Sequence, residues 1–339
     1  MKQIATFFLV SGLITIIVMP SSFGEDQSQK PWIAEIERLS KLSEEEIDIG
    51  NVSLLLAKEA YPDLDVKKYS KQIDRMVEDI RKLTNGSKDP DFRIRAINTY
   101  LYLDRGIHYD KEDPYSKKDK NRFLNGILDT KSGSCTTMPL LYLAIAQRLG
   151  YPIYPAAAPQ HLFLRYVTPN MEMENIEATG GGGYSSDEHY IKVMDIPEKG
   201  IQNGAYLETM TYKQMLGDLI TENGTYWGRQ NDLMRAIKYL EIGTSLNTKS
   251  AEAFRILGNY YFKIAAEYRT WSTGLFKTGD PRSDKVIELT RDMYEQTCRG
   301  YMHQGDLAMS RAQFLGVAPP LEQNYWIKQE KRALETKKL

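Results

Sequence analysis

The chain has 339 residues, 42% of them apolar and 26% charged, which suits a sizeable core and roughly two domains and excludes disorder as its default state. Its 44 basic and 45 acidic side chains give a net charge of −1, so no field of one sign draws it to nucleic acid or to an anionic membrane. Two cysteines and four histidines stand at no tight ligand spacing, and neither a metal nor a cofactor is expected.

Lys2, the mostly apolar residues 4–19 and the small residues around 20–24 read as a cleaved export signal. The apolar run is shorter than the roughly 20 residues that span a bilayer. A periplasmic or secreted protein is therefore expected, with membrane contact only if residues 1–24 stay uncleaved as an inner-membrane anchor. Residues 25–42 read as a linker, 43–205 as one domain and 206–339 as a second, all-helical one.

In the first domain, Ser43 and Glu46 have capping-box spacing ahead of Ile47, Leu54, Leu55 and Leu56. Asp65 can cap a helix carrying Ile73, Met76, Val77, Ile80 and Leu83, which Asn85-Gly86 stops. Asp89-Pro90 opens another helix, and residues 108–120 read as a charged loop. Next comes Lys131-Ser132-Gly133-Ser134-Cys135-Thr136-Thr137-Met138-Pro139, then an apolar run ending at Leu149-Gly150. Pro139 is tolerated only in a first helical turn, so the helix starts at about 135 to 138 with Cys135 at its mouth. Free N–H groups and the helix dipole favour a thiolate there.

The pattern then turns to strand. Residues 161–167 and 175–179 have strand composition, with turn chemistry at 168–171 and a glycine run at 180–183. A hairpin centred on Pro169 sets His161 directly opposite Glu177, on one face of the sheet. Beyond about residue 207 the chain is helical again. Residues 234–261 have tetratricopeptide-like character, helix, Asn turn, then helix with Leu257-Gly258-x-x-Tyr261, but the Gly/Pro/Asp loop at 274–283 interrupts the next unit.

A cysteine nucleophile needs a base within reach and a third group to orient that base. Cys135, His161 and Glu177 supply that set in chain order, with His108 and His189 as reserve bases. The two cysteines, Cys135 and Cys298, could instead form one disulfide, as exported chains often do.

These residues carry a family resemblance. Gly133-x-Cys135, Leu149-Gly150-x-Pro152 and the His161-Leu162-Phe163-Leu164 strand followed by Glu177 resemble the transglutaminase-like superfamily. Asp48-Ile49-Gly50-x-x-Ser53-Leu54-Leu55-Leu56-Ala57, Tyr61-Pro62-Asp63-Leu64-Asp65 and Asn121-x-x-Leu124-Asn125-x-x-Leu128-Asp129 resemble its bacterial SirB-type branch. The resemblance covers roughly residues 45–185. It implies an α+β, papain-like core, a helical N-terminal part plus a small antiparallel sheet, followed by all-α tetratricopeptide-like helices. It also implies a Cys-His-Asp triad, here with Glu177 as the third member, in a branch where many members lack the cysteine. The expected activity is cysteine-nucleophile hydrolysis or acyl transfer at amide or peptide bonds of a protein or peptide substrate, with a possible protein partner on the C-terminal helices. The rival reading is a catalytically inactive scaffold.

Overall fold

The computed structural model describes residues 5–10, 13–18, 31–168 and 173–319. Strands β1 (Ala5–Val10) and β2 (Leu13–Val18) pair antiparallel. The expected cleavage segment, 20–24, lies outside the described residues. Among the described residues no helix is long and apolar enough to cross a membrane.

Residues 31–40, read above as linker, instead form helix α1 (Pro31–Ser40), which buries Ile33, Ile36 and Leu39. Its Trp32 ring stacks on Tyr239 at 5.4 Å, and the guanidinium of Arg235 lies over both Trp32 and Trp227. Arg235 also pairs with Glu59. The predicted capping box is present but closes a short 3-10 turn at Glu44–Glu46. Helix α2 (Ile49–Ala57) has its own cap, the Asp48 carboxylate accepting from Asn51 N. Helix α3 (Val66–Thr84) starts at the Asp65 cap and stops at Asn85, which takes the left-handed conformation. Helix α4 (Pro90–Asn98) opens on Asp89-Pro90 and runs on as a π turn through Asp104.

The charged loop after it is not wholly irregular. Strand β3 (His108–Tyr109) pairs parallel with β4 (Ser132–Gly133), across the short helix α5 (Leu124–Thr130). Helix α6 (Thr137–Leu149) follows, with every residue from Thr137 to Ala146 buried. A helix apolar all round belongs in the middle of a protein, and α6 packs against α2, α3, α5 and the sheet.

The sheet is antiparallel and runs in chain order: β5 (Ile153–Ala158), β6 (His161–Val167), β7 (Met173–Glu177) and β8 (Gly183–Ser185). Strand β5 has no strong strand signature, because Pro155 and three alanines are poor strand formers. The pairs Leu164↔Ile176 and Arg165↔Asn175 centre the β6–β7 hairpin one residue later than Pro169 suggested. Glu177, at the end of β7, is therefore not directly opposite His161 but diagonal to it, and the chain beyond it runs into a 3-10 turn at Ala178–Gly180. A shift of two positions in pairing preserves the face, since side chains alternate with period two. The turn, 169–172, lies outside the described residues.

Helices α7 (Asp187–Met194) and α8 (Glu198–Gln202) lead to four longer ones, α9 (Tyr212–Arg229), α10 (Leu233–Leu246), α11 (Ala251–Thr273) and α12 (Pro281–Leu315). The largest apolar cluster runs from Ile36 through α6 and the sheet to Met215, Leu216, Leu219 and Ile220 of α9 and Tyr239 of α10. A second cluster, with Tyr268, Tyr294 and Cys298, holds α10, α11 and α12 together. The fold class is thus α+β, with a small antiparallel sheet and a large helical C-terminal part.

Trp32→Ala removes a stacked ring and one wall of the Arg235 sandwich. It is expected to cost about 2 kcal/mol of stability in urea titration.

Candidate active site

Four hydrogen bonds around Ser134 and Thr137 hold Cys135 in place. Ser134 Oγ accepts from Thr136 N and Thr137 N, each at 3.2 Å, while Thr137 Oγ1 accepts from Ser134 N at 2.9 Å. The fourth links the Ser134 and Thr137 hydroxyls at 3.2 Å. Both side chains are buried, so the loop is clamped on either side of Cys135 while the cysteine itself is only half-buried. Gly133 is needed for close approach rather than for a turn. A Cβ there would lie 2.5 Å from Ile127 Cδ1 and 2.7 Å from Met138 Cγ. The Cys135 thiol donates to the carbonyl of Gln160 at 3.9 Å. Gln160 shares the two-residue turn between β5 and β6 with Pro159 and has φ of 54°, an uncommon conformation for a side chain of this kind.

His161 begins β6 immediately after that turn. Its Nε2 meets Glu177 Oε2 at 2.7 Å, and its side chain is 3% exposed. With Nε2 given to Glu177, Nδ1 is the ring nitrogen left to serve Cys135, which lines the same cleft and is near enough to favour the charged ring. Glu177 is fully occupied. Oε2 also accepts from Tyr190 OH at 2.9 Å, and Oε1 accepts from Thr179 N at 3.1 Å and from the Thr179 hydroxyl. The diagonal register explains why a glutamate suits this position. Diagonal neighbours are about 7–8 Å apart, against about 5 Å for a directly opposed pair, and the extra methylene spans the difference.

Burial is the largest effect on His161 and disfavours its charged form. The Glu177 carboxylate and the hydrogen bonds with Cys135 and Glu177 outweigh it and raise the His161 pKa to about 10. Burial also works against the Glu177 anion, but attraction to His161 and the hydrogen bonds from His161, Thr179 and Tyr190 lower its pKa to about 2.

Tyr190, on α7, is a site residue with no signal in the sequence. It stacks on Phe163 at 4.4 Å, and α7 is anchored by the buried Arg165, which donates to Asp187 at 2.7 Å and to Asn175 at 2.8 Å. Neither reserve histidine joins the site. His108 is exposed and turned to the Gly106 carbonyl, and His189 is exposed on α7. Cys135 and Cys298 are both free thiols, so no disulfide links them. Among the described residues no group of three or more His, Cys, Asp or Glu side chains could hold a metal ion.

Cys135 and His161 open onto a cleft of about 490 Å³. One wall is the core, with Gln160, Thr136 and the 114–116 loop, and the other is helical, with Leu219 and Glu222 of α9 and Ile256 of α11.

The pair should leave a signature in stability against pH. Glu177 contributes above its ordinary value of 4.5, and that contribution is lost as pH falls towards about 2. His161 contributes below 6.5, and its contribution is lost as pH rises towards about 10. The stability difference between the native chain and Glu177→Gln is therefore expected to peak between pH 4.5 and 6.5 and to shrink on both sides, as read from urea midpoints.

Residues 67–220 match the family profile described as Transglutaminase-like superfamily. A UPF0162 protein of Xylella fastidiosa is 25% identical over 127 residues, 38% of this chain and 44% of that protein. A UPF0162 protein of Pasteurella multocida is 29% identical over 94 residues, 28% of this chain and 35% of that protein. F-box only protein 21 of Homo sapiens is 28% identical over 124 residues, 31% of this chain and 19% of that protein. The chain thus spans less than half the length of these relatives. A crystal structure of menin, described as revealing the binding site for Mixed Lineage Leukemia (MLL) protein, aligns over 82% of this chain and 88% of that one. Its identity is 10% and its TM-score 0.36, too distant to bear on the site. Cys135, His161 and Glu177 all lie within the residues that match the transglutaminase-like superfamily profile.

Proposed function

We propose that the protein is an exported cysteine-nucleophile hydrolase or acyltransferase that acts on amide or peptide bonds through Cys135, His161 and Glu177. The observation that carries this reading is His161 held by a fully hydrogen-bonded Glu177 on the same cleft as Cys135. His161 takes the proton of the Cys135 thiol, Sγ attacks the carbonyl carbon, and the carbon–nitrogen bond breaks as His161 passes that proton to the leaving amine. Water then attacks the thioester carbonyl, His161 takes its proton, and the carboxylic acid leaves as the carbon–sulfur bond breaks and His161 returns the proton to Sγ. Glu177 keeps the imidazole oriented and stabilises its cationic form. The Cys135 backbone N–H donates to the oxyanion.

Water is the preferred acceptor, because no feature of the cleft selects an amine. Export rests on the apolar segment at 4–19 and the small residues after it. Membership of the SirB-type branch rests on the Asp48, Tyr61 and Asn121 segments. The tetratricopeptide-like reading rests on the short turn joining α10 to α11. In this account residues 43–205 carry the chemistry, and the helices of 206–339 position a protein or peptide substrate from the far wall of the cleft.

p-Nitrophenyl acetate, a small unselective acyl donor, tests the reaction. Intact-mass analysis is expected to find one acetyl group on Cys135 that turns over with time. Cys135→Ala should carry none, and His161→Ala should form it at least about a hundredfold more slowly. Acetylation of Cys135 at the same rate in the native protein and His161→Ala would leave a scaffold in place of an enzyme.

A further inference from the structure

The cleft beside Cys135 contains two guanidinium groups that the acyl-transfer reaction does not use. Arg122, on the loop ahead of α5, has a side chain only 5% exposed. Its Nη2 donates to Thr225 Oγ1 at 2.7 Å, to the Glu222 carbonyl at 3.2 Å and to Glu222 Oε2 at 3.3 Å. Its Nε is buried with no acceptor. A buried donor left unmade is costly, and a native structure rarely tolerates one without a purpose.

Arg229 brings a second guanidinium to the same place. Glu222, Thr225 and Arg229 follow helical spacing on α9, so they share one face, and all three line the cleft with Arg122 and Cys135. Arg229 reaches the Ser116 carbonyl at 3.3 Å. Its pKa is lowered first by burial and then by the charge of Arg122, a sign that the two cations crowd one another. Of the other carboxylates, Asp113 is turned to the backbone N–H groups of Lys117 and Lys118 and to Asn121. Glu222 is the carboxylate paired with Arg122, Glu252 is paired with Arg255, and no carboxylate among the described residues is paired with Arg229. Arg122, Thr136 and Glu222 also line one small cavity, which places the arginine next to the residue that follows Cys135.

We propose that Arg122 and Arg229 form an anion subsite, and that the substrate presents a carboxylate there, from an acidic side chain or a chain terminus, while its acyl carbon meets Cys135. An anion gives Arg229 the charged partner it lacks, and a guanidinium fork suits a carboxylate. This rests on the acyl-transfer reading of Cys135 and narrows its substrate to peptides that present a carboxylate beside the acyl carbon.

Iodoacetate and iodoacetamide test the proposal on the intact protein, because they share a leaving group and differ in charge. The ratio of their rates at Cys135, followed by peptide mapping at low salt, is expected to exceed the ratio for 2-mercaptoethanol by about fivefold or more. The excess should vanish in Arg229→Gln, persist largely in Arg229→Lys and fade with added salt. A ratio equal to that of 2-mercaptoethanol, or one that Arg229→Gln leaves unchanged, overturns the subsite. If neither reagent modifies Cys135, the nucleophile reading fails, and the subsite is decided by thermal melting with N-acetylglutamate against N-acetylglutamine. A rise with the glutamate alone that Arg229→Gln removes supports the subsite, and equal behaviour of the two overturns it.

Discussion

A carboxylate and an imidazole withdrawn from water set the terms for the core of this protein. A buried charge is stable only when it is paired and its remaining lone pairs are met. Glu177 satisfies that condition through His161, Tyr190 and Thr179, and each partner brings a structural element with it. Thr179 fixes the end of β7. Tyr190 ties in α7, which Arg165 holds from beneath through Asp187. His161 fixes the start of β6, and the tight turn before it aims the Gln160 carbonyl at the thiol. Loss of Glu177 would thus loosen a strand end and a helix as well as an imidazole.

The thiol is positioned by a separate mechanism. Helix α6 is buried along its length, so its N-terminus cannot shift without disturbing the main core. The hydrogen bonds between Ser134 and Thr137 transmit that rigidity to Cys135, and Gly133 lets the loop lie against Ile127 and Met138. Nucleophile and base thus reach one point from two rigid elements, the central helix and the sheet. The helices beyond residue 206 share the core through α9 and supply the opposite wall of the cleft.

Much of this was legible where the signal is local. The Asp65 and Asp89 caps, the Asn85 stop and the α6 start set by Pro139 depend on neighbouring residues, and each lies where its chemistry places it. The pairing of β6 with β7 was legible only to within a shift of two positions, because Pro169 marks a turn without fixing its length. The face of the sheet and the His161–Glu177 hydrogen bond survived that shift; their direct opposition did not. Helix α1 and strand β5 went unread because their stability comes from contacts distant in sequence: Trp32 against Tyr239, and a run of alanines against β6. Tyr190 and the Arg122–Arg229 pair carry no pattern in one dimension at all, since only the folded chain brings them to Glu177 and to the cleft.

The central claim is that the fold activates Cys135 through His161. Its most direct test is the iodoacetamide rate at Cys135 near neutral pH, measured in the native protein, in the urea-unfolded protein and in His161→Ala. The account predicts a native rate at least about tenfold above the unfolded one, and its loss in His161→Ala. A native Cys135 that reacts no faster than the unfolded thiol would contradict it.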